Sequence, residues 1–185
     1  MAEQVDARAL KWSGFYAGIY GSTAGTAAEA AGSFGQEPSF GVGGGVRTGY
    51  DFTLGPVVFG LAADLTSLDI TGGAFDYQLS TVAPSFAGEW MTTLRARAGI
   101  DVGPALAFMT TGLGVVQGSY AAGNVEIGGT QSGWAIGGGI EYPVDAQTFV
   151  TGQYLYADFD ELLFSSGGAP GFTMHNVTVG LAYRF

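Results

Sequence analysis

The sequence predicts an all-β chain, an eight-stranded antiparallel up-and-down transmembrane β-barrel. Three observations carry that expectation. Apolar residues recur with period two in one segment after another. The charged residues inside those segments share a face with the smallest side chains. Short turns alternate with long connections.

Composition sets the frame. The 185 residues suit a single domain, and a charged fraction of 12% is about half that of an ordinary soluble domain. An apolar share of 47% argues against disorder. Without cysteine there is no disulfide framework, thiolate metal centre or cysteine nucleophile. A net charge of −10 with only six basic residues excludes a nucleic-acid partner, because phosphate binding needs clustered Lys and Arg. The longest uncharged stretch, 102–125, is the one candidate for a spanning helix. Pro104, the Thr110-Thr111 pair and repeated glycines break it into short pieces that cannot supply about 20 apolar residues. The N-terminus lacks a charged-then-apolar leader, so Met1 reads as a start residue placed on a mature chain. Residues 1–11 are expected to form a periplasmic tail, and 12–185 a single barrel domain.

The elements follow in order. Residues 13–23 alternate weakly. In the second segment Phe40, Val42, Gly44, Val46, Thr48, Tyr50 and Phe52 face one way, against Gly41, Gly43, Gly45, Arg47, Gly49 and Asp51. Val57, Phe59, Leu61, Ala63 and Leu65 then oppose Val58, Gly60, Ala62, Asp64 and Thr66. Trp90, Thr92, Leu94, Ala96, Ala98, Ile100 and Val102 oppose Met91, Thr93, Arg95, Arg97, Gly99 and Asp101. Residues 105–118 are ambiguous. Trp134, Ile136, Gly138, Ile140 and Tyr142 oppose Ala135, Gly137, Gly139 and Glu141, and 147–158 alternates weakly again. The last segment is clear: Val177, Val179, Leu181, Tyr183 and Phe185 against Asn176, Thr178, Gly180, Ala182 and Arg184. Between these lie short turns at 53–56, 101–104 and 143–147, and longer connections near 24–38, 70–88, 119–131 and 160–171. That rhythm, with an even strand count, puts both termini on the periplasmic side of an outer membrane and the long loops outside the cell.

The charges decide which face is outside. Arg47, Arg95, Arg97, Arg184, Asp64 and Glu141 all fall on the glycine-rich face. A soluble sandwich or lipocalin would turn its apolar face inward and carry charges on its exterior. An inside-out barrel accounts for the segregation, since Arg or Lys at the bilayer midplane costs about 2–4 kcal/mol. The same six residues are expected to form a luminal ion-pair network that locks the barrel and blocks passage, because eight strands leave room only for side chains. Four arginines exceed two carboxylates, so Asp51, Asp101 or water must contribute. Aromatic residues on the outward face then form two interfacial belts. Tyr50, Phe52, Tyr142, Tyr183 and Phe185 lie near the short turns, and Phe40, Trp90, Trp134 and Tyr156 near the long loops.

Nearly the whole chain resembles the small opacity-type, outer-membrane-protein-A-like barrels. The residues that carry the likeness are Trp12-Ser13-Gly14-Phe15-Tyr16-Ala17-Gly18, Gly49-Tyr50-Asp51-Phe52 with Phe59-Gly60, 93–99, and 179–185. The resemblance implies surface antigens, adhesins and envelope-stabilising proteins, some described as porins. It also implies that Tyr183-Arg184-Phe185 is the signal read by the barrel-assembly machinery. Thr151, Gln153 and Leu155 on the seventh strand depart from the more highly charged inner face of relatives, which implies a drier or differently plugged lumen.

No catalytic residue or cofactor is expected. The lone histidine, His175, sits on the lipid-facing row as in small barrels that modify lipid A. The residue two along is Val177 where a serine would be needed, and no partner to activate the imidazole is evident. The runs at 41–45 and 137–139 fit neither G-x-G-x-x-G nor a P-loop, and read as room in a tight lumen. The loops are acidic, and Asp158, Asp160 and Glu161 are candidates for holding a divalent cation that bridges to lipopolysaccharide. Gly112, Gly114 and Gly138, placed on the lipid-facing row, are candidate protein contacts. The leading function is a structural or surface protein: envelope integrity, adhesion or surface antigen. A small porin is the alternative, and a lipid-modifying enzyme the third. The expected partners are outer-membrane lipids and lipopolysaccharide, the assembly machinery, and lateral proteins or host surface molecules.

Overall fold

A computed structural model describes residues 12–28, 39–71, 85–122, 125–159 and 172–185. Eight strands close into a barrel in chain order: β1 Gly14–Ala28, β2 Ser39–Leu54, β3 Val57–Thr71, β4 Ser85–Asp101, β5 Leu106–Ala122, β6 Val125–Pro143, β7 Thr148–Phe159 and β8 Phe172–Arg184. Each strand pairs antiparallel with its sequence neighbours. β1 also pairs with β8, with Gly18 opposite Ala182, so no edge is left to seek another chain. Among the described residues no helix is long and apolar enough to cross a membrane. The strands of this barrel supply that crossing instead, with every ladder bond made within the wall.

The period-two pattern is a record of two solvents. Phe15, Ile19, Leu61, Leu94, Ile140, Val179 and Leu181 project outward and are exposed, as a lipid-facing wall requires. Tyr16, Tyr20, Arg47, Asp64, Arg95, Arg97, Glu141, Thr151, Gln153 and Arg184 are buried inside. The ambiguous segment resolves as β5, with Met109 and Leu113 outward and Leu106, Phe108 and Val116 inward. Both of its faces are apolar, which is why alternation failed to assign them.

Two expectations are corrected. The connection foreseen at 119–131 is mostly strand: Ser119 pairs with Gly128 and Ala122 with Val125, leaving a two-residue link. β5 and β6 run 17 and 19 residues, well beyond the 9–11 that span a bilayer. Past the membrane neither face need be apolar, so the ladder continues after its sequence signal stops. β1 and β3 likewise run to Ala28 and Thr71, into the connections expected from 24 and 70. The second correction concerns Gly112 and Gly114, which face the lumen. A Cβ on Gly112 would lie 2.9 Å from the Arg95 Cγ, and one on Gly114 3.3 Å from the Phe159 ring. Gly138 does lie on the outward row, between Ile136 and Ile140.

Turn chemistry closes the opposite end. Gly55 and Gly103 take φ of 63° and 97°, a region that L side chains resist. In the third turn the Asp145 carboxylate accepts backbone N–H groups from Gln147 at 2.8 Å and Thr148 at 2.7 Å. These two bonds to the ionised form hold the Asp145 carboxyl below the ordinary aspartate range.

Candidate functional site

The lumen is stacked in four layers, and β4 gives the order of the three beyond the short-turn mouth: Arg97, then Arg95 and Thr93, then Met91 toward the loop end. At the short-turn mouth, Trp12 packs with Val58 and Leu106. Directly inside, Arg97 Nη1 donates to Glu141 Oε1 at 2.7 Å and Arg184 Nη2 to Asp51 Oδ2 at 2.8 Å. Cross-pairs at 3.5 Å (Arg97–Asp51) and 3.8 Å (Arg184–Glu141) join these into one four-membered cluster. Both carboxylates are 0% exposed.

One layer further, Asp64 accepts from Arg47 Nε at 2.5 Å, from Arg95, and from the Thr93 hydroxyl at 3.1 Å. Arg95 Nε donates in turn to Thr93 at 3.1 Å, which fixes the guanidinium against its own strand. Beyond this the polar chemistry gives way. Met91, Val116, Leu155, Phe159 and Met174 join Ala24, Ala135 and Ala157 in an apolar layer toward the long loops.

Charge does not balance by carboxylates alone. The described luminal cations are Arg47, Arg95, Arg97 and Arg184, and the carboxylates facing them are Asp51, Asp64 and Glu141. Aromatic faces stabilise the guanidiniums without neutralising the excess. The Arg97 guanidinium lies 4.3 Å from the Phe108 ring centroid, Arg184 4.8 Å from Phe149, and Arg47 5.1 Å from Tyr20. Tyr16 adds a hydroxyl, which accepts from Arg97 at 3.2 Å. Sequence reasoning missed these rings because it read the inner face as small residues throughout. The available signal was the inward parity of Tyr16 and Tyr20, which is also what blurred the alternation of β1. Asp51 does join the cluster, and Asp101 does not: its carboxylate caps the Gly103 N–H at 2.8 Å.

On the outer wall, Tyr50, Phe52, Tyr142, Tyr183 and Phe185 are exposed at the short-turn end. Phe15 and Tyr50 meet edge to face at 4.7 Å, and Tyr183 and Phe185 at 5.2 Å. Toward the loops, Trp134 packs on Tyr156 at 5.5 Å and Trp90 is half-buried. The Phe40 side chain lies outside the described residues. Arg184 points inward between its outward neighbours Tyr183 and Phe185. His175 is not without a partner, contrary to the reading from sequence: its Nδ1 lies 2.6 Å from the Tyr154 hydroxyl, and the Tyr156 ring stands edge-on at 5.2 Å. Tyr154 comes from the adjacent strand, one outward row nearer the short turns, a relation that only the register reveals. Asp158 lies on the outward row of β7, paired across to Trp134 and Thr173. Asp160 and Glu161 lie outside the described residues. No cluster of three metal-ligating side chains occurs among the described residues.

Residues 1–185 match the family model described as outer membrane protein beta-barrel domain. A 22 kDa outer membrane protein of Rhizobium leguminosarum bv. viciae is 27% identical over 180 residues, covering 94% of this chain and 78% of the relative. A 31 kDa outer-membrane immunogenic protein of Brucella melitensis is 29% identical over 162 residues, covering 77% of this chain and 65% of the relative. In fold, the chain is similar to neisserial surface protein A, with a TM-score of 0.63 at 14% identity over 94% of this chain and 98% of that one. It is also similar to Ail, the attachment invasion locus protein of Yersinia pestis, with a TM-score of 0.56 at 13% identity over 94% and 99%.

Proposed function

The chain belongs to the outer membrane protein beta-barrel family, and from that premise we propose that it is a plugged, non-enzymatic surface barrel of the bacterial outer membrane. The observation that carries this reading is the pair of carboxylates, Asp51 and Glu141, both 0% exposed and shared between Arg97 and Arg184 across the whole bore. An eight-stranded barrel has room only for side chains. Here those side chains are tied to one another, with an apolar layer above them that resists wetting by ions.

In this reading the network locks the wall, and the long loops do the work outside the cell. Both termini lie in the periplasm, on the side of the short turns. The acidic loops suit a surface antigen or adhesive face toward host molecules, in keeping with the immunogenic name of the Brucella relative. Tyr183, Arg184 and Phe185 serve as the assembly signal, and lipids and lipopolysaccharide surround the belts. His175 bonds a phenol rather than a serine or a carboxylate, and Val177 stands two residues along, so among the described residues no activated nucleophile stands beside the imidazole.

Single-channel conductance of the refolded chain in a planar bilayer tests the proposal. A silent bilayer, with refolding confirmed by heat-modifiable mobility, is the expected result. Steady reproducible openings would instead make the arginines the lining of a small porin.

A further inference from the structure

The luminal arginines do not share their counter-charges evenly. In the layer nearer the short turns, Arg97 and Arg184 face Asp51 and Glu141, two cations against two carboxylates. One layer further, Arg47 and Arg95 both bond Asp64, and among the described residues no second carboxylate pairs with either. Two cations against one carboxylate leave a formal excess of one positive charge, and it is local to this second layer. It cannot be shed as a proton, because a guanidinium stays charged in a protein. Nor does Tyr20 remove it. Its ring lies 5.1 Å from the Arg47 guanidinium and its hydroxyl is engaged with Thr66 at 2.6 Å, so it adds attraction without charge.

The same part of the bore holds donors that bond nothing. Arg95 directs Nη2 to Asp64 and Nε to Thr93, while its Nη1 has no hydrogen-bond partner among the described residues. Across the lumen, Tyr20 ties β1 to this layer, since Thr66 is the next inward residue after Asp64 on β3. Ser22 follows Tyr20 on the inward row and is laddered to Thr178 of β8, where Asn176 is the neighbouring inward residue. The Ser22 Oγ, the Thr178 Oγ1 and the Asn176 Nδ2 are likewise without partners among the described residues. Of Arg95, Asn176, Thr178 and Ser22, none is more than 6% exposed. Each orphaned atom is able to donate. A buried unbalanced cation and buried donors without acceptors are both unfavourable, and one acceptor with one negative charge relieves both.

We propose that the second layer encloses a small monovalent anion of the halide class, held by Arg95 Nη1 and by the donors of Ser22, Thr178 and Asn176. A water molecule would answer the donors but leave the charge. A divalent oxyanion would reverse the excess and bring more bulk than a bore filled by side chains admits. The apolar layer with Met91, Leu155 and Phe159 covers this level toward the loops, and the four-membered ion-pair cluster covers it toward the short turns. The anion is therefore taken up as the barrel closes and is released slowly. The site deepens the plugged-barrel reading and rests on its luminal network.

The test refolds the full chain in sodium bromide, transfers it to sodium sulfate buffer, and counts bromine per chain by elemental mass spectrometry. The wild type should keep one bromide. Arg95→Met leaves Arg47 and Asp64 as a balanced pair and should reduce the count at least tenfold. The double variant Ser22→Ala with Thr178→Val keeps every charge but removes two donors, and should reduce it severalfold. Gly21→Ala, on the lipid-facing wall, should change nothing. If Arg95→Met does not refold, the double variant decides. In crystals grown with bromide, anomalous scattering should place the ion beside Arg95. A wild type that keeps no bromide has water at these donors, and the proposal falls. It falls equally if the variants keep as much as the wild type, or if the anomalous peak lies elsewhere, which would mean an adventitious ion only. Conductance separates the two readings. An open channel with bromide held at Arg95 defeats only the plugged barrel, and a silent bilayer with no bromide retained defeats only the anion site.

Discussion

Arg184 and Asp51 lie 133 positions apart in the chain, yet the guanidinium of one bonds the carboxylate of the other at 2.8 Å. Their strands, β8 and β2, both pair with β1, so the bond bridges the seam where the first strand meets the last. It is an inner clasp over the barrel's closing ladder.

Breaking the clasp should be costly. Asp51→Asn leaves Arg184 and Arg97 short of a counter-charge in a dry site, a loss of about 3–5 kcal/mol for a buried pair. The midpoint of thermal unfolding in detergent should fall accordingly. The double variant Asp51→Asn with Arg184→Met should lose less than the sum of the single changes, because it also removes the stranded cation.

The second layer makes a sharper version of the same case. Asp64 serves both Arg47 and Arg95. Asp64→Asn should therefore destabilise more than Arg47→Met, which leaves Arg95 and Thr93 on the carboxylate. Chemical unfolding in urea with vesicle-embedded protein measures the difference.

Glycines on the two faces should respond oppositely. A Cβ on Gly45 would fall 2.6 Å from the Tyr20 ring inside the lumen, whereas one on Gly21 meets nothing on the outer wall. Gly45→Ala should cost about 1–3 kcal/mol through overpacking. Gly21→Ala should leave the unfolding midpoint unchanged or raise it slightly.

The turn at 144–147 supplies a pH test. The Asp145 carboxyl titrates below its ordinary value because it accepts two backbone N–H bonds. Its contribution is thus complete above about pH 4 and fades as pH falls through the folded-state value. Asp145→Asn should flatten the acid side of the stability profile, read by thermal unfolding between about pH 2 and 5.

Most of the wall was legible because lipid outside and glycine or charge inside leave a clean alternation, as in β2, β4 and β8. It failed where the lumen is itself apolar. Leu106, Phe108 and Val116 of β5, and Phe149, Leu155 and Phe159 of β7, are inward residues that look outward by chemistry alone. The six charged residues share a face by parity, but their partners follow from register and curvature. Nothing local joins Arg97 to Glu141 or Tyr154 to His175. The arginine-to-ring contacts were hidden too, because each joins neighbouring strands, β4 to β5, β7 to β8 and β1 to β2, through a register that alternation alone does not give.

An apolar layer with Phe159 and Met174 lies above the ion pairs, and Trp12 lies beneath them, between those buried charges and the two ends of the barrel. Exposed pairs weaken as salinity rises, while pairs shut away from counter-ions barely notice it. An envelope protein cannot choose the brine or fresh water its cell meets. In the plugged barrel proposed above, charges covered in this way are expected to keep the wall rigid in either.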